Sequence, residues 1–239
     1  MIEAFARRYG LDRAAEGRLA TLLDALTGDP LAPTSVRDPR RVLEDHLADS
    51  LVALDLAAVR NAAQIADLGS GAGVPGLPLA IALPGAEVYL VESNGRKCQF
   101  ISRLIAACGL ANATVVNARA EDWPDGLGRF DLVTARALAP LAVVAEYAAP
   151  LLRLGGTLLV WRGRRDPADE QSALVAAGEL GLDMPEAIAV DPYPGAANRH
   201  LQPMIKRAPT PQRFPRRTGM ARKRPLGGAS APTSDRRRR

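Results

Sequence analysis

The segment ADLGSGAGVPG, Ala66 to Gly76, constrains this chain more than any other stretch. It follows a short apolar run, IADL (Ile65 to Leu68), and leads into a helical pattern that Pro75 can open. Gly69, Gly71 and Gly73 carry no Cβ, so the main chain there can approach a ligand closely. A strand that empties through glycines into a helix is the opening unit of a doubly wound α/β sheet.

The downstream pattern agrees. Strands are expected at VYLVE (Val88 to Glu92), TVV (Thr114 to Val116), FDLVTA (Phe130 to Ala135), GGTLLVW (Gly155 to Trp161), Ala187 to Val190 and Arg199 to Arg207. Helices are expected at Gly95 to Ala107, Leu141 to Leu152 and Pro167 to Leu180. Alternation of this kind predicts a mostly parallel sheet covered on both faces, a Rossmann-like α/β fold. Pro203 falls inside the last strand, where a missing N–H predicts a bulge.

Residues 1–60 read instead as a helical extension. Leu19, Leu22, Leu23 and Leu26 recur at helical spacing until Gly28 and Pro30. After the loop LAPTSVRDP, Asp38 and Pro39 form a cap and first turn, and Val42, Leu43, His46, Leu47, Leu51 and Leu54 make a stripe. His46 reads there as a packing residue on the helix face. The expected organisation is thus 1–60 helical, 61–208 α/β domain, and 209–239 a basic tail rich in Pro and Arg, strapped down or disordered.

The glycine loop alone admits two ligands, since Gly71, Gly73 and Gly76 also satisfy the dinucleotide spacing. Two acids favour one of them. Asp67 precedes the loop, where it would repel a pyrophosphate but suit the ammonium and sulfonium of S-adenosylmethionine. Glu92 ends the second strand, where a carboxylate can accept both ribose hydroxyls, although NAD would fit Glu92 equally. The loop NARAEDW (Asn117 to Trp123) should border the same crevice, with Glu121 near an adenine edge and Asp122 there or capping a helix. An NAD-dependent oxidoreductase remains the rival reading of these residues.

Taken together, these segments resemble the RsmG (GidB) family, the small-subunit (16S) rRNA guanine N-7 methyltransferases. TSVRDP with HLADS (Thr34 to Ser50), DLGSGAGVPGLPLA, VESNGRKCQFI, ARAED, TARAL (Thr134 to Leu138), WRG (Trp161 to Gly163) and TPQRFPRRTGMARKRPL (Thr210 to Leu226) occur in the family's order. The resemblance implies a class I S-adenosylmethionine-dependent methyltransferase. It also implies donor-site roles for Gly69, Val74, Ala120, Glu121 and Arg136, beside Asp67, Gly71, Gly73 and Glu92. Arg136, at the end of the fourth strand, is a candidate for positioning; no catalytic acid or base is expected, because guanine N-7 has no proton to lose. Two departures stand out: Ala32 and Pro33 replace the family's frequent Asn-Leu, and Arg162 stands where lysine is common.

Charge points to the partner. Residues 209–239 hold ten Lys/Arg against Asp235 alone, a net +9, whereas the remaining chain has 21 basic and 25 acidic residues, a net −4. A cationic tail on a mildly acidic body suits RNA. Candidate RNA contacts are Arg37, Arg162, Arg213, Arg216, Arg217, Arg222, Lys223 and Arg224, with Arg40 and Arg41 weighed beside them. Small-subunit rRNA or an assembled subunit is the expected partner; a methyltransferase acting on another RNA, a protein or a small molecule is the alternative. Cys98 and Cys108 lack metal or CxxC spacing and read as buried thiols, so no metal is expected. No apolar run approaches membrane-spanning length, and a cytoplasmic monomer is expected.

Overall fold

The computed structural model describes residues 2–227; the expectations for Asp235 and Arg236 to Arg239 lie outside them. The sheet comprises β1 (Gln64–Leu68), β2 (Glu87–Val91), β3 (Ala113–Val116), β4 (Phe130–Arg136), β5 (Leu152–Arg162), β6 (Leu182–Asp183), β7 (Ile188–Ala189) and β8 (His200–Lys206). Its order is β3-β2-β1-β4-β5-β8-β6, with β7 also paired to β8. The first five strands run parallel and β8 runs antiparallel to β5. The order reverses between β1 and β4, so their carboxyl ends flank the switch-point crevice where such sheets bind ligands.

Both faces are covered. Successive residues of β4 point to opposite cores: Leu132 joins the apolar cluster on one side, Val133 that on the other. The first face packs under α6 (Gly76–Ala82), α7 (Gly95–Ala107) and the N-terminal helices α1 (Ile2–Tyr9) and α2 (Arg13–Gly28). α2 turns Leu19, Leu22 and Leu26 inward, fully buried, and Asp12 caps it by accepting from the Ala15 N–H at 2.7 Å. The 1–60 segment therefore shares one core with the sheet. The second face packs under α8 (Leu141–Ala148) and α9 (Pro167–Leu180).

Asp38 caps the next helical run as its spacing predicts, accepting from the Arg41 N–H at 2.9 Å. The run itself is not uniform. A short α3 (Pro39–Val42) passes into a π-helical turn, Leu43–Ala48, then α4 (Asp49–Leu51), a 3₁₀ turn Val52–Asp55 and α5 (Ala57–Arg60). π-turns of this kind concentrate at functional sites.

One expectation is corrected. The β5–β8 register runs unbroken through Pro203, paired with Leu159, and no bulge occurs there. On its other side β8 is covered at Lys206 and Ile205 by β6 and at Leu201 and His200 by β7, so Pro203 lies in the gap between them, where a missing N–H costs no ladder bond. The register shift falls instead between β4 and β5, near Phe130. The segment 209–227, for its part, is a strap packed on the second face. Phe214 and Ala221 are buried, and α10 (Met220–Lys223) lies against α8.

Candidate functional site

At the carboxyl ends of β1, β2 and β4 the chain forms a cleft of about 280 Å³. Gly69, Glu92, Ala120 and Glu121 line it, four of the nine expected donor-site residues. Gly69 has φ +66°, and a Cβ there would come within 2.5 Å of Leu138 Cδ1 on the cleft wall. The Glu92 carboxylate is 7% exposed and held from behind: the Gly71 N–H donates to one oxygen at 3.1 Å and the Asn94 N–H to the other at 2.8 Å. No cation pairs with it among the described residues, so its charge is left for what enters the cleft.

Asp67 does not face that cleft. It is 1% exposed beneath the loop, accepting from Thr134 Oγ1 at 2.8 Å and from the Gly76 N–H at 3.2 Å. Burial pushes its carboxyl up to about 6. There it holds the strand-to-helix turn through these two bonds. Gly76 is the residue that leaves it room, since a Cβ there would approach Asp67 Oδ2 to 2.8 Å. Gly71, Gly73 and Val74 likewise shape the loop without lining the cleft. Gly71 and Gly73 have φ +57° and +88°, and Gly73 packs against Leu77.

The far wall comes from the strap, which no local sequence signal suggests. Gly219 N–H donates to Glu121 Oε1 at 3.0 Å, Thr218 Oγ1 to Asp122 at 2.5 Å, and Arg222 to the Leu138 carbonyl at 3.0 Å. Arg222 and Tyr147 both line the cleft, and burial with the Glu121 charge raises the Tyr147 hydroxyl above its usual value. Arg119 and Lys97 complete the rim.

Arg136 sits in a second cavity, of about 610 Å³, with Arg41, Arg162, Arg199, Asp45, His46, Asp49 and Asp169 around it. Its guanidinium donates to the Asp45 carbonyl at 2.8 Å and to the Asp49 carboxylate at 3.2 Å, and reaches His46 Nδ1 at 3.2 Å. Asp49 is 4% exposed; burial raises its carboxyl, and the Arg136 and Arg199 charges oppose that rise. Its carbonyl also accepts from Trp161 Nε1 at 2.6 Å. The three residues that grip Arg136 lie in or just after the π-turn. Ala137, at φ +52°, lines both cavities and is the residue common to them.

The expected RNA contacts divide. Arg37 is spent on the carbonyls of Asp29, Pro30 and Ala32. Arg216 is committed to buried Glu146, Arg213 to Glu179 at 2.7 Å and Arg162 to Asp169 at 2.8 Å. Arg37 and Arg216 are therefore structural, because their donors are consumed within the chain. Arg217, Lys223 and Arg224 are exposed, with no ion pair among the described residues. Cys98 and Cys108 are buried and unpaired, and no cluster of metal-ligating side chains occurs among the described residues. No described helix is long and apolar enough to cross a membrane.

Comparison with known proteins fits this geometry. The family described as GidB, rRNA small subunit methyltransferase G, matches residues 25–180. A protein named ribosomal RNA small subunit methyltransferase G from Rubrobacter xylanophilus is 40% identical over 198 residues, covering 80% of this chain and 76% of its own. That from Chloroflexus aggregans is 42% identical over 201 residues, covering 81% and 82%. Among solved structures, a SAM-dependent methyltransferase from Aquifex aeolicus superposes with a TM-score of 0.54 at 15% identity, over 70% of this chain and 93% of that one. Fibrillarin from Aeropyrum pernix, solved with natively bound S-adenosylmethionine, gives 0.52 at 18% identity, over 66% and 72%. These two likenesses show the fold.

Proposed function

Since the chain belongs to the rRNA small subunit methyltransferase G (GidB) family, it is an S-adenosylmethionine-dependent methyltransferase of small-subunit rRNA, and we propose that its acceptor atom is N-7 of a guanine. The observation that carries the reading is the pair of cavities sharing Ala137. One has a close-approach glycine and an unpaired carboxylate. The other has four arginines against three aspartates, an excess of positive charge suited to a nucleotide.

The cleft fits the donor. Glu92 would accept from the ribose hydroxyls, the 120–121 backbone and Glu121 would hold the adenine edge, and Gly69 leaves the room a Cβ would fill. The donor supplies an activated methyl group on sulfur. The chain's own task is to align and to exclude water, because N-7 offers a free lone pair and no proton has to be removed. The inventory at the shared wall agrees: Ala137 and Leu138 bring no acid or base, and His46 is tied to Arg136 and Thr34. The target base enters the second cavity from a loop or after flipping out, with Arg41 and Arg199 near its phosphates. Arg217, Lys223 and Arg224 extend the contact along the strap, and the cytoplasm, where subunits assemble, is the place of action.

The test is transfer of tritiated methyl to naked small-subunit RNA and to assembled subunits, followed by mapping of the label. Label at one guanine N-7 is expected, and replacing that base with 7-deazaguanine should abolish it. Label on another atom, or in protein, would overturn the reading.

A further inference from the structure

His46 is half-buried beside Arg136 and takes no part in the transfer described above. Its Nδ1 lies 3.2 Å from Arg136 Nη2 and its Nε2 lies 2.9 Å from Thr34 Oγ1. A guanidinium can only donate, so Nδ1 must accept and the ring proton must sit on Nε2. That proton is donated to Thr34 Oγ1, which also accepts the Val36 N–H at 3.1 Å. A chain of directed bonds thus runs from the loop TSVRDP through the imidazole to the arginine that lines the second cavity next to Ala137.

We propose that His46, locked by Thr34 in its Nε2–H tautomer, is a positioning residue that sets the orientation of Arg136 for methyl transfer. The other guanidinium contacts do not fix this alone. The Asp45 carbonyl and Asp49 carboxylate both take Nη1, leaving Nη2 to the imidazole. Protonating the ring would turn Nδ1 into a donor facing another donor and place two cations side by side. The groups around the ring come from every adjoining element. They are Arg41, Asp45 and Asp49 of its own helical run, Arg136 of β4, Arg162 of β5, Asp169 of α9 and Arg199 ahead of β8. Burial and the Arg136 charge together hold the imidazole below its ordinary 6.5, so it is neutral at pH 7. Acid is then the condition that releases Arg136. The inference rests on Arg136 lining the second cavity next to the shared Ala137 and not on which atom accepts the methyl group.

Single-turnover transfer to assembled subunits, at saturating donor, tests it by a double-mutant cycle. His46→Ala should slow transfer about three- to tenfold, the range of one net hydrogen bond, with donor affinity by calorimetry unchanged. His46→Asn keeps an acceptor near the Nδ1 position and should recover most of the rate. His46→Gln moves its amide toward Nε2 and should not. In an Arg136→Met background, His46→Ala should cost nothing further. The wild-type rate should fall as pH drops below about 6.5, and the His46→Asn variant should lack that limb. Melting temperatures separate folding from positioning. The same His46→Ala loss with Arg136 removed, or the same acid limb in His46→Asn, overturns the proposal. Label on an atom other than N-7 would overturn the acceptor assignment while leaving this cycle readable.

Discussion

Arg216 forks onto Glu146, with Nε to Oε1 at 2.6 Å and Nη2 to Oε2 at 2.5 Å, across 70 residues of chain. Glu146 belongs to α8 and is 2% exposed, so this one arginine both neutralises a buried charge and ties the strap to the body. Arg216→Ala strands that carboxylate. It should destabilise the fold by about 3–5 kcal/mol and weaken affinity for S-adenosylmethionine, because the strap's Gly219 holds Glu121 and its Arg222 lines the cleft proposed for the donor. Replacing both partners, Arg216→Met with Glu146→Gln, should cost less than the single change. Urea titration checks the stabilities; a double change that costs as much as Arg216→Ala or more would remove the stranded carboxylate as the cause.

Asp67 gives a prediction with a defined sign. Its folded value, about 6, lies above the ordinary 3.8, so the folded chain holds this proton more tightly than the unfolded chain. Its contribution to stability is therefore greatest below pH 4 and is lost as pH rises to 6, by about 3 kcal/mol as an upper figure. Asp67→Asn can still accept from the Gly76 N–H and donate to Thr134. The stability of the Asp67→Asn variant relative to wild type should rise between pH 4 and 6 and then level off. A difference independent of pH in that window would remove the buried carboxylate as its cause.

Gly69 and Gly71 share a positive φ but not a neighbourhood. A Cβ on Gly69 meets Leu138 Cδ1 at 2.5 Å, whereas on Gly71 its nearest atom is the Gly69 carbonyl oxygen at 3.6 Å. Gly71→Ala should therefore cost only backbone strain, about 1–2 kcal/mol. Gly69→Ala adds to that strain a Leu138 side chain driven into the donor cleft, and should cut affinity for S-adenosylmethionine far more. Leu138→Ala should restore part of it. Calorimetry giving both alanine variants the same affinity would place the donor away from Gly69.

Arg217, Lys223 and Arg224 are exposed strap cations with no ion pair among the described residues. Changing all three to Gln should lower the salt slope of RNA binding by about 0.7–0.9 for each phosphate no longer neutralised, with the melting temperature held. Arg37→Gln, by contrast, should act on stability and leave the slope alone, since its donors go to three carbonyls. An unchanged slope in the triple variant would move the RNA-binding surface to another face.

The periodic elements are legible in the sequence because their signals are local. Gly95–Ala107 and Pro167–Leu180 have the expected limits, and each carries its own cap, at Asn94 and Asp166. The two-residue β6 escapes such reading, since so short a strand has no period. Site residues divide for a different reason. Glu92 and Gly69 line the cleft where their strand ends leave them, so position along the chain locates them. Asp67 also ends a strand, yet its side chain turns under the loop, and only Gly76 and Thr134, brought together by folding, decide that. The strap is legible as charge and illegible as architecture. Glu121 and Gly219 lie 98 residues apart, and no local pattern announces their bond. His46 reads as a packing residue on a helix face because its partners Thr34 and Arg136 flank it in space alone.

Ala137 carries a consequence beyond either cavity. The residue common to both cavities is one of left-handed main chain, anchored by the β4–β5 ladder that pairs Arg136 with Trp161. A gap bounded by backbone has no rotamers. The rims can therefore diversify, arginine by arginine, toward other acceptors without retuning the span the methyl group must cross. Divergence in such an enzyme would alter what it recognises well before it altered how it transfers.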